Sequence, residues 1–124
     1  MKNIKPTTAE LVILNVLWDH GPAKVREVHQ ALGDRTTGYT TVLKMLQIML
    51  EKGLVRRDES SMAHIYESVY TAEEVQSQLI ETLLSDAFKG SAKNLVLRAL
   101  SVKPSTPAEL DEIRKLIDKL DEAP

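Results

Sequence analysis

Between Tyr39 and Gly53 the apolar residues Tyr39, Val42, Leu43, Leu46, Met49 and Leu50 recur with a 3.6-residue period, and no other stretch of the chain restricts the fold as much. The spacing predicts a helix whose opposite face collects Thr40, Thr41, Lys44, Gln47, Ile48 and Glu51, with Thr37 just ahead of it. That face is polar apart from Ile48. After Gly53 the period breaks: residues 54–58 and 63–66 are short mixed segments around Glu59-Ser60-Ser61, the pattern of a small β-hairpin. A one-sided helix running directly into a hairpin leaves few architectures open.

The flanking segments narrow the choice. Thr7 with Glu10 three residues later has capping-box spacing, in which each side chain satisfies the other's backbone N–H. Leu11, Leu14, Leu17 and Trp18, broadened by Ile13 and Val16, then mark a first helix ended by His20-Gly21-Pro22. Val25, Val28 and Leu32 mark a short second helix closed by Gly33, and residues 34–38 form a polar connection to the third. Beyond the hairpin, Thr71 and Glu74 repeat the capping box before a stripe of Leu79, Ile80, Leu83, Leu84, Ala87 and Phe88 that ends at Gly90. Ser91 caps a fifth helix with Leu95, Val96, Leu97 and Leu100. Thr106, Pro107 and Glu109 restart a sixth, striped by Leu110, Ile113, Leu116, Ile117 and Leu120. The expected class is mainly α with a small β-hairpin: a winged helix-turn-helix domain over residues 1–70 and a three-helix dimerisation region over 71–124.

Composition removes several functions. The 124 residues are 43% hydrophobic and 27% charged, a globular balance in a chain long enough for one domain or two very small ones. There is no Cys, which removes disulfides, thiolate metal sites and Cys nucleophiles together. His20, His29 and His64 form no local ligand motif, and Glu73-Glu74 and Asp121-Glu122 read as helix-end charges, so no enzyme, metal or cofactor is expected. Lys2 and Lys5 are followed by no signal-type apolar run, and charges interrupt every candidate membrane span, so a cytoplasmic location is expected. With a net charge of −2, nucleic-acid binding requires a local patch; residues 1–70 carry 9 basic and 8 acidic side chains, residues 71–124 carry 7 and 10.

In a winged helix-turn-helix the third helix enters the major groove of DNA. On the outward face Thr37, Thr40 and Thr41 are small enough for close approach to phosphates, base edges or thymine methyls, Lys44 can reach phosphate or guanine, and Gln47 follows one turn later. Backbone N–H groups at the helix start favour phosphate, and Arg56 and Arg57 at the wing's start can clamp the DNA backbone. The competing reading is a solvated face that contacts nothing. Tyr39 lies on the apolar stripe, which favours packing, although its hydroxyl can reach a phosphate from the rim.

The residues also resemble a known family. Pro6-Thr7-Thr8-Ala9-Glu10-Leu11, Val16-Leu17-Trp18 with Gly21-Pro22, Val25-Arg26-Glu27-Val28, Tyr39-Thr40-Thr41-Val42-Leu43, Met45-Leu46-Gln47, Lys52-Gly53-Leu54-Val55 and Ala63-His64-Ile65-Tyr66 are, in this order and spacing, similar to the penicillinase and methicillin-resistance repressors of the BlaI/MecI type. The resemblance implies a homodimeric winged-helix repressor of transcription, bound to an inverted-repeat operator. It also implies derepression by a membrane-bound sensor protease system that responds to β-lactams, with cutting in the C-terminal region. Two departures bear on DNA contact: Ile48 stands where members often carry Arg, and Ser61-Met62 where a wing Gly-Arg is frequent. Packing on the wing is the first reading of Ile48, a thymine methyl the second. At the expected cleavage region the apolar triplet Leu95-Val96-Leu97 is followed by Arg98-Ala99 rather than Asn-Phe. A copper-responsive branch ends in paired cysteines, which this chain lacks.

Residues 71–124 carry three apolar stripes with little material to enclose them, which predicts pairing with a second copy through Leu79, Leu83, Phe88, Leu95, Leu97, Leu100, Ile113, Leu116, Ile117 and Leu120. The alternative is that these helices fold back on the first half of a monomer. Two other functions share the fold: a winged helix that binds protein rather than DNA, and a regulator that senses a small ligand directly, which requires a pocket the sequence does not locate.

Overall fold

The computed structural model describes residues 4–33, 37–60 and 62–123. Residues 34–36 of the polar connection and Ser61 at the turn of the hairpin lie outside these. The element order is α1 (Thr8–His20), α2 (Val25–Ala31), α3 (Tyr39–Lys52), β1 (Val55–Asp58), β2 (Ile65–Ser68), α4 (Ala72–Ala87), α5 (Ala92–Val102) and α6 (Pro107–Asp121). Three helices, a hairpin and three helices are thus observed as the periodicity predicts. The chain divides into two units inside α4, Met1–Thr82 and Leu83–Pro124.

In the first unit α1 and α2 begin where a side chain satisfies a free backbone group. The Glu10 N–H donates to Thr7 Oγ1 at 3.1 Å and the Thr7 N–H donates back to Glu10 Oε1 at 2.8 Å, completing the predicted box. At α2 the Lys24 N–H donates to Glu27 Oε1 at 2.8 Å, a start that the spacing alone did not single out. Helix α3 stops at Gly53, whose φ of 80° is the left-handed conformation that costs a residue with Cβ; the next N–H, of Leu54, closes on the Met49 carbonyl at 2.9 Å.

The core is the meeting of these helices' apolar stripes. Ile13, Leu14 and Leu17 of α1, Val25 and Val28 of α2, and Val42, Leu46 and Met49 of α3 are buried together with Leu54, Val55 and Tyr66. Each such side chain contributes about 1.5–3 kcal/mol on leaving water. Val75, the one buried residue of α4, joins the same cluster. The predicted stripe of α4 began at Leu79, and Val75 one turn earlier is what fastens the helix to the first unit.

The wing is a two-stranded antiparallel sheet with Val55 opposite Ser68, Arg56 opposite Glu67, Arg57 opposite Tyr66 and Asp58 opposite Ile65. It is tied back to the helices at two places. Ala23, in the turn between α1 and α2, exchanges both backbone hydrogen bonds with Tyr66 at 2.9 and 2.8 Å. The Trp18 indole N–H donates to the Tyr70 carbonyl at 3.0 Å and to Ser68 Oγ at 3.2 Å. The hairpin therefore leaves the core at a fixed position beside α3.

In the second unit Ser91 caps α5 by accepting from the Asn94 N–H, and Thr106 with Glu109 forms a capping box for α6. Local rules build these helices, but no residue of α5 or α6 is fully buried. Val102 is 75% exposed and Leu120 65%. Water-facing leucine and valine in this density are unusual for a finished surface.

Candidate nucleic-acid interface

The register of α3 is set by Val42, Leu46 and Met49, all fully buried. Residues on the other side of the helix must then point outward, and Thr40, Thr41, Lys44 and Gln47 are all exposed, with Thr37 partly so. Gly38 offers no side-chain cap, so the first-turn N–H groups of α3 have no side-chain acceptor from their own cap residue. A face of hydroxyls, an amide and one ammonium, at a helix start that its cap residue leaves without a side-chain acceptor, has the donors that phosphates and base edges accept.

Two residues differ from the first reading of their positions. Tyr39, read as packing, is 49% exposed at the start of α3, with its ring edge-on to His29 at 6.2 Å. Ile48, read as packed on the wing, is 41% exposed on the outward face. Both belong to the surface that α3 presents.

Both wing arginines are engaged, Arg56 on the exposed side of β1 and Arg57 half-buried on the side of Val55. Arg56 Nη1 lies 3.4 Å from Glu67 Oε1 on the facing strand, and Arg57 donates through Nη2 and Nε to Glu59 Oε2 at 3.0 and 3.2 Å. Tyr66 and then Glu59 favour the charged guanidinium of Arg57, raising its pKa. Met62, between the two strands, is fully exposed.

The structure also gathers residues that the sequence reading passed over. Lys24 and Arg26 at the start of α2 come beside Tyr39 and Leu43 of α3 and His64 before β2, around a cavity of about 560 Å³. The two cations come from the single run Lys24-Val25-Arg26, and the residues that surround them come from segments distant in the chain. Among the described residues, no three His, Asp or Glu side chains come together as metal ligands, and no helix is long and apolar enough to cross a membrane.

In the second half the apolar side chains singled out for dimerisation divide in two groups. Leu79, Leu83, Leu97, Leu116, Ile117 and Leu120 are exposed, while Phe88, Leu95, Leu100 and Ile113 are half-buried. Arg98 and Ala99 are exposed on α5, next to Leu97.

A helical core, a third helix with an outward polar face and a hairpin fixed beside it define a winged-helix transcriptional regulator. Solved structures agree on the fold. A transcriptional regulator of Thermotoga maritima matches with a TM-score of 0.54 and 21% identity over 93% of this chain and 76% of that one. A Bacillus licheniformis BlaI monomer solved with the blaP half-operator matches with a TM-score of 0.51 and 23% identity over 59% of this chain and 90% of that one. The family model described as penicillinase repressor matches residues 6–119, and the chain belongs to that family of DNA-binding transcriptional repressors, which are not enzymes. Among curated proteins, the transcriptional regulator BlaI of Mycobacterium tuberculosis is 30% identical over 114 residues, 90% of this chain and 82% of that one. The penicillinase repressor of Staphylococcus aureus is 18% identical over 96% of this chain and 95% of that one.

Proposed function

We propose that this chain is a homodimeric repressor that seats α3 of each protomer in the major groove of one half of an inverted-repeat operator. The observation that carries the reading is the exposure of Thr40, Thr41, Lys44 and Gln47 opposite the buried Val42, Leu46 and Met49. Packing sets which side of α3 faces outward, and that side carries hydrogen-bonding groups of a size that fits a groove about 12 Å wide. The Bacillus licheniformis BlaI structure with its half-operator gives this arrangement a precedent in a similar fold. In this reading residues 1–70 bind DNA, residues 71–124 pair the protomers, and repression takes place in the cytoplasm. Thr37, Tyr39, Thr40, Thr41, Lys44 and Gln47 contact the operator, with Arg56 and Arg57 on the flanking backbone.

Pairing is supported by the second unit, where apolar side chains of α5 and α6 stay in water in the single chain. A second copy would cover them, and two readers joined on a two-fold axis gain affinity through effective concentration. Derepression by a membrane-bound sensor protease system in response to β-lactams fits the exposure of Leu97, Arg98 and Ala99: a cut there would separate the pairing helices and return each reader to its weaker single-site affinity.

Footprinting on the promoter of the chain's own gene tests the whole reading. The expected result is a protected region with two-fold symmetry and half-sites whose centres lie a whole number of helical turns apart. An unprotected promoter, or one asymmetric half-site, contradicts it.

A further inference from the structure

We propose that the groove between α2, α3 and the wing is a phosphodiester track, in which Lys24 and Arg26 hold the backbone of one DNA strand while α3 lies in the adjoining major groove. The inference rests on the DNA-binding reading above and adds a second contact surface to it.

Three observations carry it. The first is continuity. Tyr39 lines the groove and also begins α3, immediately before Thr40 and Thr41 of the outward face. A helix in the major groove is bordered by the phosphates of both strands, so a cavity beginning at its first residue lies where one backbone must pass. The second is size. A volume of about 560 Å³ exceeds what a single phosphate group occupies, and the cavity is partly open to solvent.

The third is charge. Among the described residues Lys24 and Arg26 have no carboxylate within ion-pair distance, whereas Arg56 and Arg57 are held by Glu67 and Glu59. A wing arginine has a carboxylate beside it whose negative charge opposes the approach of a phosphate. An unpaired cation gives up only water and releases a condensed counterion from the DNA. Glu27, the acid of the groove, already accepts the Lys24 N–H at 2.8 Å and faces His20 at 3.6 Å. The backbone contact that sequence assigned to Arg56 and Arg57 is thus made mainly by Lys24 and Arg26 at the start of α2.

The test measures binding of the full-length protein to random-sequence duplex DNA across a salt series, since backbone contacts do not depend on sequence. K24Q and R26Q should each lower the slope of log affinity against log salt by about one, as should K44Q, while R56Q and R57Q lower it by clearly less. K24R and R26K, which keep the charge, should keep the slope. Unchanged slopes in K24Q and R26Q alongside a lowered slope in K44Q would overturn the track and leave the α3 contact standing. No salt-dependent binding by the unmodified protein would overturn both. In a parallel arm, amide NMR shifts at Lys24, Arg26 and Tyr39 should appear with duplex; shifts that saturate with inorganic phosphate alone would make the groove a small-anion pocket and overturn the proposal.

Discussion

Glu10 at the start of α1 and Lys52 at the end of α3 form an ion pair in which Lys52 Nζ donates to both carboxylate oxygens, at 2.7 and 3.0 Å, across 42 positions of sequence. The Glu10 side chain is only 7% exposed. Its carboxyl also accepts the Thr7 N–H, so one group caps α1 and fastens the end of α3 to it. Burial opposes the charge, but the hydrogen bond from Lys52, the Thr7 N–H and the Lys52 charge together outweigh it, and the pKa lies below the ordinary 4.5.

A pH dependence follows. A carboxyl with a lowered folded pKa contributes stability that is fully present above about 4.5 and is lost as pH falls through the lower folded value. Chemical denaturation should show the first unit weakening on acidification through this range, and E10Q should flatten the loss. Asp58, in the same unit, is shifted in the same direction by its hydrogen bonds from Ser60, so E10Q removes part of the dependence and not all of it. At neutral pH, K52A leaves a nearly buried carboxylate without its partner and should cost about 1–2 kcal/mol, a hydrogen bond to a charged group reduced by the solvent access of Lys52. An acid profile identical in E10Q and the unmodified chain contradicts the assignment.

Val75 is fully buried although the rest of α4 is not. V75A deletes two methyl groups from the core and should destabilise the first unit by about 2 kcal/mol, transfer and cavity terms together. Substituting the exposed neighbour Gln76 by Ala should change the same denaturation midpoint hardly at all. Equal effects at both positions would mean that α4 is not seated through Val75.

On α3, T40V and T41V keep side-chain shape and remove the hydroxyl. Each should weaken binding to the operator by up to about 1–3 kcal/mol where the hydroxyl meets a base, and leave binding to random DNA nearly unchanged. K44Q should weaken both to a similar extent. Titrations with the two duplexes separate base reading from backbone attraction at each position.

In the second unit Leu116, Ile117 and Leu120 of α6 are exposed, so replacing one by a charge should not harm the fold of a single protomer. L116E or I117E should leave helix content intact and shift sedimentation from twice 13.9 kDa toward 13.9 kDa at micromolar concentration. Operator affinity should fall with the loss of the second reader. A chain that already sediments at 13.9 kDa before substitution argues for a monomer.

The sequence disclosed what depends on local order. Stripes of period 3.6, capping boxes at Thr7, Thr71 and Thr106, and glycines at helix ends place every helix of the structure, and the same periodicity identifies the outward side of α3. It did not disclose what depends on distant segments meeting. The Glu10–Lys52 pair, the Trp18 bonds to Ser68 and Tyr70 and the Ala23–Tyr66 bridge join residues more than 40 positions apart, and no spacing rule reaches that far. Lys24 and Arg26 were passed over for the same reason, because their surroundings exist only once α3 and the wing are folded against α2. For Arg56 and Arg57 the place at the start of the wing was legible, but their carboxylate partners Glu67 and Glu59 were not.

Trp18 is the chain's sole tryptophan, and all three tyrosines also precede α4. Its indole hydrogen bonds to Ser68 and Tyr70 make its emission colour an intrinsic gauge of one unit alone. Fluorescence will therefore follow loss of the reading head, while circular dichroism sums every helix, so a mismatch between the two melting curves would reveal whether the two units unfold as one event.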